Sequence, residues 1–499
     1  VGVPLLYLVI RALDAEPATL QAILLQPRNV VLFVNTILLT VAVIIGSLMI
    51  AMPLAWLTTR CDIHGRRLFS VLGMFPLAMP AYLMAYCYIA LSGSYGSFAQ
   101  VFSITLPRLG GFWGAALVLS ACNYPYLYLN LRSAMLGLDP SLEEVAKSLG
   151  QSRWNTLWRV ILPQLLPACY SGFLLTGLHV LNDFGAVSLM GYETFSYAIY
   201  RQYMAGFDRT YAAWLALMLI ALTGLVLLLE GYLLRKSRFD RTTAVGSRRA
   251  RRVQLGKWKI PGYAFLVGQV FCFVVLPLFT LIFWGLQGDS WSVWPRLLEA
   301  AWGSTRASAP AAVAATCLAL PLVYWSLRAP SRLTRFMERA AYMGYAVPSL
   351  AFALALIFFT LNVIPVLYQS MIILVFAYTM RFVAEAVGPI RSALYQTSPR
   401  LEEAGRILGY GWTSVFFFVT LPLLRNGILI SLAFVFVSAM KELPLTFLLS
   451  PLGFRSLAVD LWGLVDEALF AQAAPYAITI LTISAVFTSM LLLRETRQE

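Results

Sequence analysis

Charge is what this chain has least of. Only 12% of its 499 residues are Asp, Glu, Lys or Arg, against 60% apolar residues and a mean hydropathy of +0.75. A soluble globular domain carries roughly twice that share of charge. Histidine is almost missing, with His64 and His179 alone, and no H-E-x-x-H or G-x-S-x-G occurs. A membrane-embedded hydrolase would have no catalytic groups to work with. The phosphate-cradling G-x-x-x-x-G-K-[ST] is also absent: Gly256-Lys257 lacks the upstream glycine and the following hydroxyl. The chain is therefore not expected to hydrolyse ATP or to bind any cofactor. Cys61, Cys87, Cys122, Cys169, Cys272 and Cys317 stand singly, without metal-ligand spacing, and read as small packing residues rather than a disulfide framework.

The apolar residues run in lengths that cross a bilayer, which takes about 20 residues per helix. Such segments lie near 31–57, 68–91, 112–135, 167–190 and 210–234, then near 303–327, 338–361, 368–390, 425–449 and 471–493. Two more complete the set. One ends in VGVPLLYLVI at residues 1–10, and its counterpart lies near 262–287, because Pro4-Leu5 aligns with Pro277-Leu278. About fifteen apolar residues precede Pro277, so the first helix is expected to begin upstream of Val1; no signal peptide is recognisable. The expected fold is all-α and polytopic, with about twelve transmembrane helices in two six-helix repeats.

The repeat is explicit. Asp139–Pro163, DPSLEEVAKSLGQSRWNTLWRVILP, and Ser398–Pro422, SPRLEEAGRILGYGWTSVFFFVTLP, align without gaps at an offset of 259 residues. Each has two adjacent acids, a glycine six residues after the second, and Leu-Pro twelve and thirteen after the glycine. Asp139 or Ser398 suits an N-cap, Pro140 or Pro399 the first helical position, and Glu143/Glu144 or Glu402/Glu403 the positive end of the helix dipole. Leu142, Val145, Ala146 and Leu149, like Leu401, Ala404, Gly405 and Leu408, form one apolar stripe, from which Lys147 and Arg406 face away. Gly150 and Gly409 end the helices. Elsewhere Pro53 matches Pro321 and Pro80 matches Pro348 at an offset of 268. The expected domains are a first permease half at 1–234, a basic linker at 235–259 and a second half at 260–499.

This motif resembles the cytoplasmic loop of permease subunits in binding-protein-dependent ABC importers, whose pattern is Glu-Ala-Ala, three residues, Gly, nine residues, Ile-x-Leu-Pro. The chain departs from it mildly, with Val145 and Gly405 in place of alanine and Val160 and Val419 in place of isoleucine. The resemblance covers nearly the whole chain and implies a type I importer fold. It also implies that each loop docks on an ATP-binding subunit. Two loops then imply two such subunits, as a homodimer that binds ATP and Mg, together with a periplasmic substrate-binding protein. The residues expected to couple are Glu143, Glu144, Ala146, Gly150, Leu162 and Pro163, with Glu402, Glu403, Ala404, Gly409, Leu421 and Pro422. Two complete loops on one chain resemble the ferric-iron permeases, with thiamine permeases next; polyamine or anion permeases and an ion-driven secondary transporter are the alternatives.

Basic residues set the expected orientation. Placing both motif loops with 58–67, 235–259, 328–339 and the tail gathers 28 of 37 Lys and Arg on one side, counting Arg132 and Arg381. By the positive-inside rule that side is cytoplasmic, in a bacterial inner membrane, with both termini inside. The +14 net charge then needs no nucleic acid. The linker arginines Arg248, Arg249, Arg251 and Arg252 read as a solvated, topology-enforcing cluster rather than a specific contact for membrane lipid.

For the pathway, charges inside apolar segments are the suspects. Asn182-Asp183 and Lys441-Glu442 coincide at the 259 offset. They suit a pore or gate, or an Asp183 to Lys441 ion pair pinning the halves. His179, one turn before Asp183, reads first as a packed polar residue. Arg306 is expected to snorkel to the outer interface, and the outer loops 191–209 and 450–470 to meet the binding protein.

Overall fold

The computed structural model describes residues 2–13, 26–138, 140–205, 209–236, 253–287 and 293–495. Every element among them is helical apart from an isolated bridge between Cys61 and Val253. That follows from the solvent: hydrocarbon offers no partner to a backbone N–H or C=O, so each segment must satisfy its own.

Among the described residues seven helices are long and apolar enough to span by themselves: Pro27–Thr59, Leu157–Asn182, Thr210–Leu229, Gly256–Gly285, Trp294–Arg328, Met371–Gln396 and Phe470–Phe487. Three bent pairs raise the number to ten. The remaining two of the twelve expected segments are Gly2–Leu13, with twelve residues, and Gly111–Leu136, which carries Asn123, Asn130 and Arg132 and is mostly buried.

Bends break two of the expected segments and lead into a third. Arg66–Ala78 meets Ala81–Leu91 at 98°, and Arg332–Ala346 meets Ser349–Val363 at 103°. The corners are the matched prolines Pro80 and Pro348, and the residues before them, Met79 and Val347, are extended at ψ 120° and 131°. Proline forbids its predecessor the helical region, which opens the corner. Trp412–Leu423 bends by 69° into Arg425–Met440. The segment expected at 425–449 also stops at Met440 and resumes only as Pro444–Leu449, as 167–190 stops at Asn182 and resumes as Gly185–Leu189.

Three one-turn π-helices, Leu157–Ile161, Phe271–Val275 and Phe416–Thr420, each run straight into a Leu-Pro. Proline cannot donate to the preceding turn and crowds its carbonyl, and widening the turn relieves both.

The halves exchange their first helices. Gly2–Leu13 packs against Ser349–Val363 of the second half, with Tyr7 edge-on to Phe359. Reciprocally, Leu276–Gly285 packs against Ala81–Leu91 of the first, where the Trp284 indole donates to the Ala90 carbonyl at 3.0 Å. Within each half the heaviest packing is between Pro27–Thr59 and Gly111–Leu136, and between Trp294–Arg328 and Met371–Gln396. Most of the linker, 237–252, with Arg248, Arg249, Arg251 and Arg252, lies outside the described residues. Its far end is held to the first half: the Val253 N–H donates to the Arg60 carbonyl at 2.8 Å, the Asp62 N–H donates to the Val253 carbonyl at 3.2 Å, and Lys259 pairs with Asp62 at 3.2 Å.

Candidate functional site

The motif helices form as Pro140–Ser148 and Pro399–Ile407. Ser398 caps the second, its hydroxyl accepting from the Arg400 N–H at 3.4 Å; Asp139 lies outside the described residues, and so does the Glu143 side chain. Both stop at a left-handed glycine, Gly150 at φ +74° and Gly409 at φ +88°. Beyond them Gln151 donates to the Ala146 carbonyl and Tyr410 to that of Gly405, at 3.0 and 3.2 Å, closing the last turn.

Adjacent glutamates on one helix point about 100° apart, and here they part company. Glu402 is buried and accepts from the Tyr324 hydroxyl at 3.0 Å and the Arg328 guanidinium at 3.1 Å, both on Trp294–Arg328. Glu403, Ala404 and Glu144 are exposed. The expected apolar stripe also divides. Ala146 and Gly405, aligned at the 259 offset, face the permease, and a Cβ on Gly405 would lie 3.1 Å from Val415. Val145, Leu149, Leu401 and Leu408 are 54%, 74%, 48% and 76% exposed. The stripe is thus not seated on its own subunit; most of it faces outward. Leu162-Pro163 and Leu421-Pro422 follow the π turns and start the next spans.

About 22 Å up Met371–Gln396 from its end at Gln396, by helix rise, lies a cavity of about 260 Å³ at the helix breaks. His179, Asn182, Asp183, Lys441 and Glu442 all line it, so the structure brings together the pore candidates of both halves. Their roles differ from expectation. Asp183 does not pair with Lys441. Its Oδ1 accepts from the Ala186 and Val187 N–H groups at 3.0 and 3.2 Å, capping Gly185–Leu189. Lys441 accepts at its carbonyl from the Tyr82 hydroxyl at 3.2 Å, a contact between the halves. His179 stacks on Tyr126 at 4.5 Å with Nδ1 against the Leu175 carbonyl.

Glu442 finds Arg381, whose Nε is 3.9 Å from Oε2. The same guanidinium donates to the Val347 carbonyl at 2.8 Å, at the corner made by Pro348, and lies over the Tyr345 ring. Arg381 was expected among the cytoplasmic basic residues; it is buried in mid-helix instead. One turn on, Glu385 lines the cavity and interacts with Ser438. Sequence reasoning missed both, although two opposite charges four residues apart inside an apolar segment were the available signal. At the 259 offset these positions are Cys122, Tyr126 and His179 in the first half, so the polar side of the cavity belongs mainly to the second.

Arg306 borders a separate recess of about 350 Å³ with Glu299, Trp302 and Arg455, about 33 Å along its helix from Arg328. Near it Arg455 pairs with Asp460 and Glu299, and in the other half Glu193 pairs with Arg201 and Arg28.

Comparison with known proteins agrees with the duplicated design. The family model for binding-protein-dependent transport system inner membrane components matches twice, at residues 26–239 and 313–497. The Fe(3+)-transport system permease protein of Haemophilus influenzae is 32% identical over 97% of this chain and 94% of its own. The sulfate transport system permease protein of Escherichia coli is 28% identical over 37% of this chain and 67% of its own. The molybdenum transport system permease protein of the same organism is 30% identical over 39% and 89%. The chain belongs to the family of binding-protein-dependent transport system inner membrane components, as a multi-pass permease with both family domains fused in one polypeptide.

Proposed function

We propose that this permease carries ferric iron across the bacterial inner membrane, delivered by a periplasmic binding protein and driven by ATP hydrolysed on two separate ATP-binding subunits that hold the ATP and Mg. The observation that carries the reading is the pair of motif helices with outward apolar faces, on a chain similar over its full length to an Fe(3+)-system permease. The relatives named for sulfate and molybdenum align with about two fifths of it.

In this reading Glu144, Leu149, Glu403 and Leu408 touch the ATP-binding subunits. Glu402, Ala146 and Gly405 fix each helix to the permease, and Gly150 and Gly409 return the chain to the membrane. A rigid helix so anchored moves the spans when the subunits close. The motif face, the linker and both termini are cytoplasmic, as the basic residues favour.

The test is uptake of radioactive Fe(III) into vesicles holding the permease, its co-purified ATP-binding subunit and its binding protein, with labelled thiamine, sulfate and molybdate in parallel. ATP-dependent iron entry that disappears in Gly150→Pro and Gly409→Pro variants which still insert is the expected result. ATP-dependent entry of another solute replaces the substrate, and entry indifferent to ATP overturns the mechanism.

A further inference from the structure

The roof of the central cavity is aromatic. On the side away from the motif helices the cavity is walled by Phe184 and Leu443, each at the helix break of its half. Against Phe184 stand three more rings, Tyr200 from the first half and Phe447 and Trp462 from the second. Phe184 lies 4.9 Å from Tyr200 and 5.7 Å from Trp462, and Tyr200 lies 5.8 Å from Trp462 and 5.5 Å from Phe447. All but the first of these contacts cross between the halves. Phe184 and Trp462 are buried. The Trp462 indole donates to the Ser188 hydroxyl at 3.0 Å, and that hydroxyl donates in turn to the Gly185 carbonyl at the first-half break.

Each half carries its rings as one piece. In the first, the Asp183 carboxylate caps Gly185–Leu189, and the Asp183 carbonyl accepts from the Ser196 hydroxyl at 2.6 Å. That fastens Phe195–Ala205, the helix of Tyr200, to the end of Leu162–Asn182. In the second, the Glu442 carbonyl accepts from the Thr446 hydroxyl in Pro444–Leu449, the helix of Phe447. Leu162–Asn182 starts where the first motif loop ends and rises about 30 Å to the break, and Arg425–Met440 leads from the second loop to the other break. A displacement at either motif helix is thus delivered to the rings. Ring contacts suit a joint that opens and recloses: each is modest, and parting them strands no charge, unlike a buried ion pair.

We propose that Phe184, Tyr200, Phe447 and Trp462 are the outer gate of the central cavity, shut in this structure and latched by the hydrogen bond from Trp462 to Ser188. Water that enters as the two sides part takes over the indole N–H and the Ser188 hydroxyl, so the latch breaks and reforms without leaving a buried polar group unpaired. The proposal rests on the importer reading for which face is outer; the ring contacts do not depend on it.

Cys122 lines the cavity beneath the gate as a free thiol and reports its opening. A small, membrane-impermeant methanethiosulfonate is added to the full-length permease at the periplasmic face of spheroplasts and, separately, at the cytoplasmic face of inverted vesicles, and the modified cysteine is identified by peptide mass. From the periplasmic face the wild type should react slowly at Cys122. Tyr200→Ala and Trp462→Ala each remove two ring contacts across the halves. Each should raise that rate about tenfold or more, because two such contacts shift the open-to-shut ratio on that scale. Trp462→Phe, which keeps a ring and loses the latch, should fall between. Cys87, buried outside the cavity lining, should stay unmodified throughout, which general loosening of the fold would not allow. A wild-type rate at Cys122 in both alanine variants, or Cys87 reacting in step with Cys122, overturns the gate, and a wild-type rate in Trp462→Phe overturns the latch. Acceleration confined to the cytoplasmic face would keep the gate and overturn the orientation in the importer reading.

Discussion

Arg328 closes on Glu402 across 74 residues of sequence, with 3.1 Å between Nη2 and Oε1 and both side chains largely buried. The pair ties the second motif helix to the end of a 35-residue span, and the Tyr324 hydroxyl adds a second tie. Breaking a buried pair from one side strands a charge and costs about 3–5 kcal/mol, whereas replacing both partners with apolar groups is often neutral. Glu402→Ala should therefore lower the thermal midpoint and uptake together. Arg328→Met with Glu402→Leu should recover most of the midpoint but not the uptake, if the polar anchor orients the helix. Thermal unfolding in detergent alongside vesicle uptake measures both.

Gly150 and Gly409 separate conformation from space. Both are left-handed, and a Cβ at either would meet nothing within 4 Å. The cost of a side chain there is backbone strain alone, about 1–2 kcal/mol, and Asn tolerates that region better than Ala or Val. The expected order of ATP-dependent uptake is Gly, then Asn, then Ala, then Val at each site. An order following side-chain size, with Asn below Ala, would point to a packing role instead.

The contact between linker and first loop should depend on pH. The Leu255 N–H and the Lys259 ammonium hold the Asp62 carboxyl below its ordinary value of 3.8. A lowered carboxylate stabilises the docked linker at every pH above that ordinary value and loses the contribution as pH falls through the lowered one. Hydrogen exchange at the Val253 and Leu255 amides, taken relative to the intrinsic rate at each pH, should thus be slow near neutrality and quicken only under strongly acidic conditions. Asp62→Ala should quicken it at neutral pH. Equal exchange in both proteins would show that the linker is held by something else.

How much of this was legible depended on whether a feature was local. The motif helices could be read because cap, acids and glycine lie within one stretch, and the repeat doubled the signal. Pro80 and Pro348 were visible as a matched pair, but a proline inside a membrane helix is commonly tolerated, so nothing marked these two as corners of about 100°. Glu402 and Glu403 are chemically identical neighbours, and only Arg328, distant in sequence, decides which is buried. Arg381 misled for a related reason: a basic residue in an apolar segment reads as a helix end when its counter-ion, Glu442, lies 61 residues away.

The last relationship lies where the two halves meet. Gly185, just past Asp183, carries no side chain where a Cβ would come within 2.8 Å of Tyr82 Cβ and 3.0 Å of Leu443, just past Glu442. The breaks of both halves thus touch at the edge of the central cavity. Adding a methyl group to a filled contact costs about 1–3 kcal/mol and forces its neighbours apart. Gly185→Ala should therefore slow uptake by displacing the breaks against each other. Gly224→Ala, in a span where a Cβ meets nothing within 4 Å, should leave it unchanged and gain a little helix stability. If a second change, Leu443→Ala, restores uptake to the Gly185→Ala variant, the defect lies in that contact. If it does not, the contact with Tyr82 carries the constraint, and Gly185→Ala should also disturb the hydrogen bond from Tyr82 to the Lys441 carbonyl.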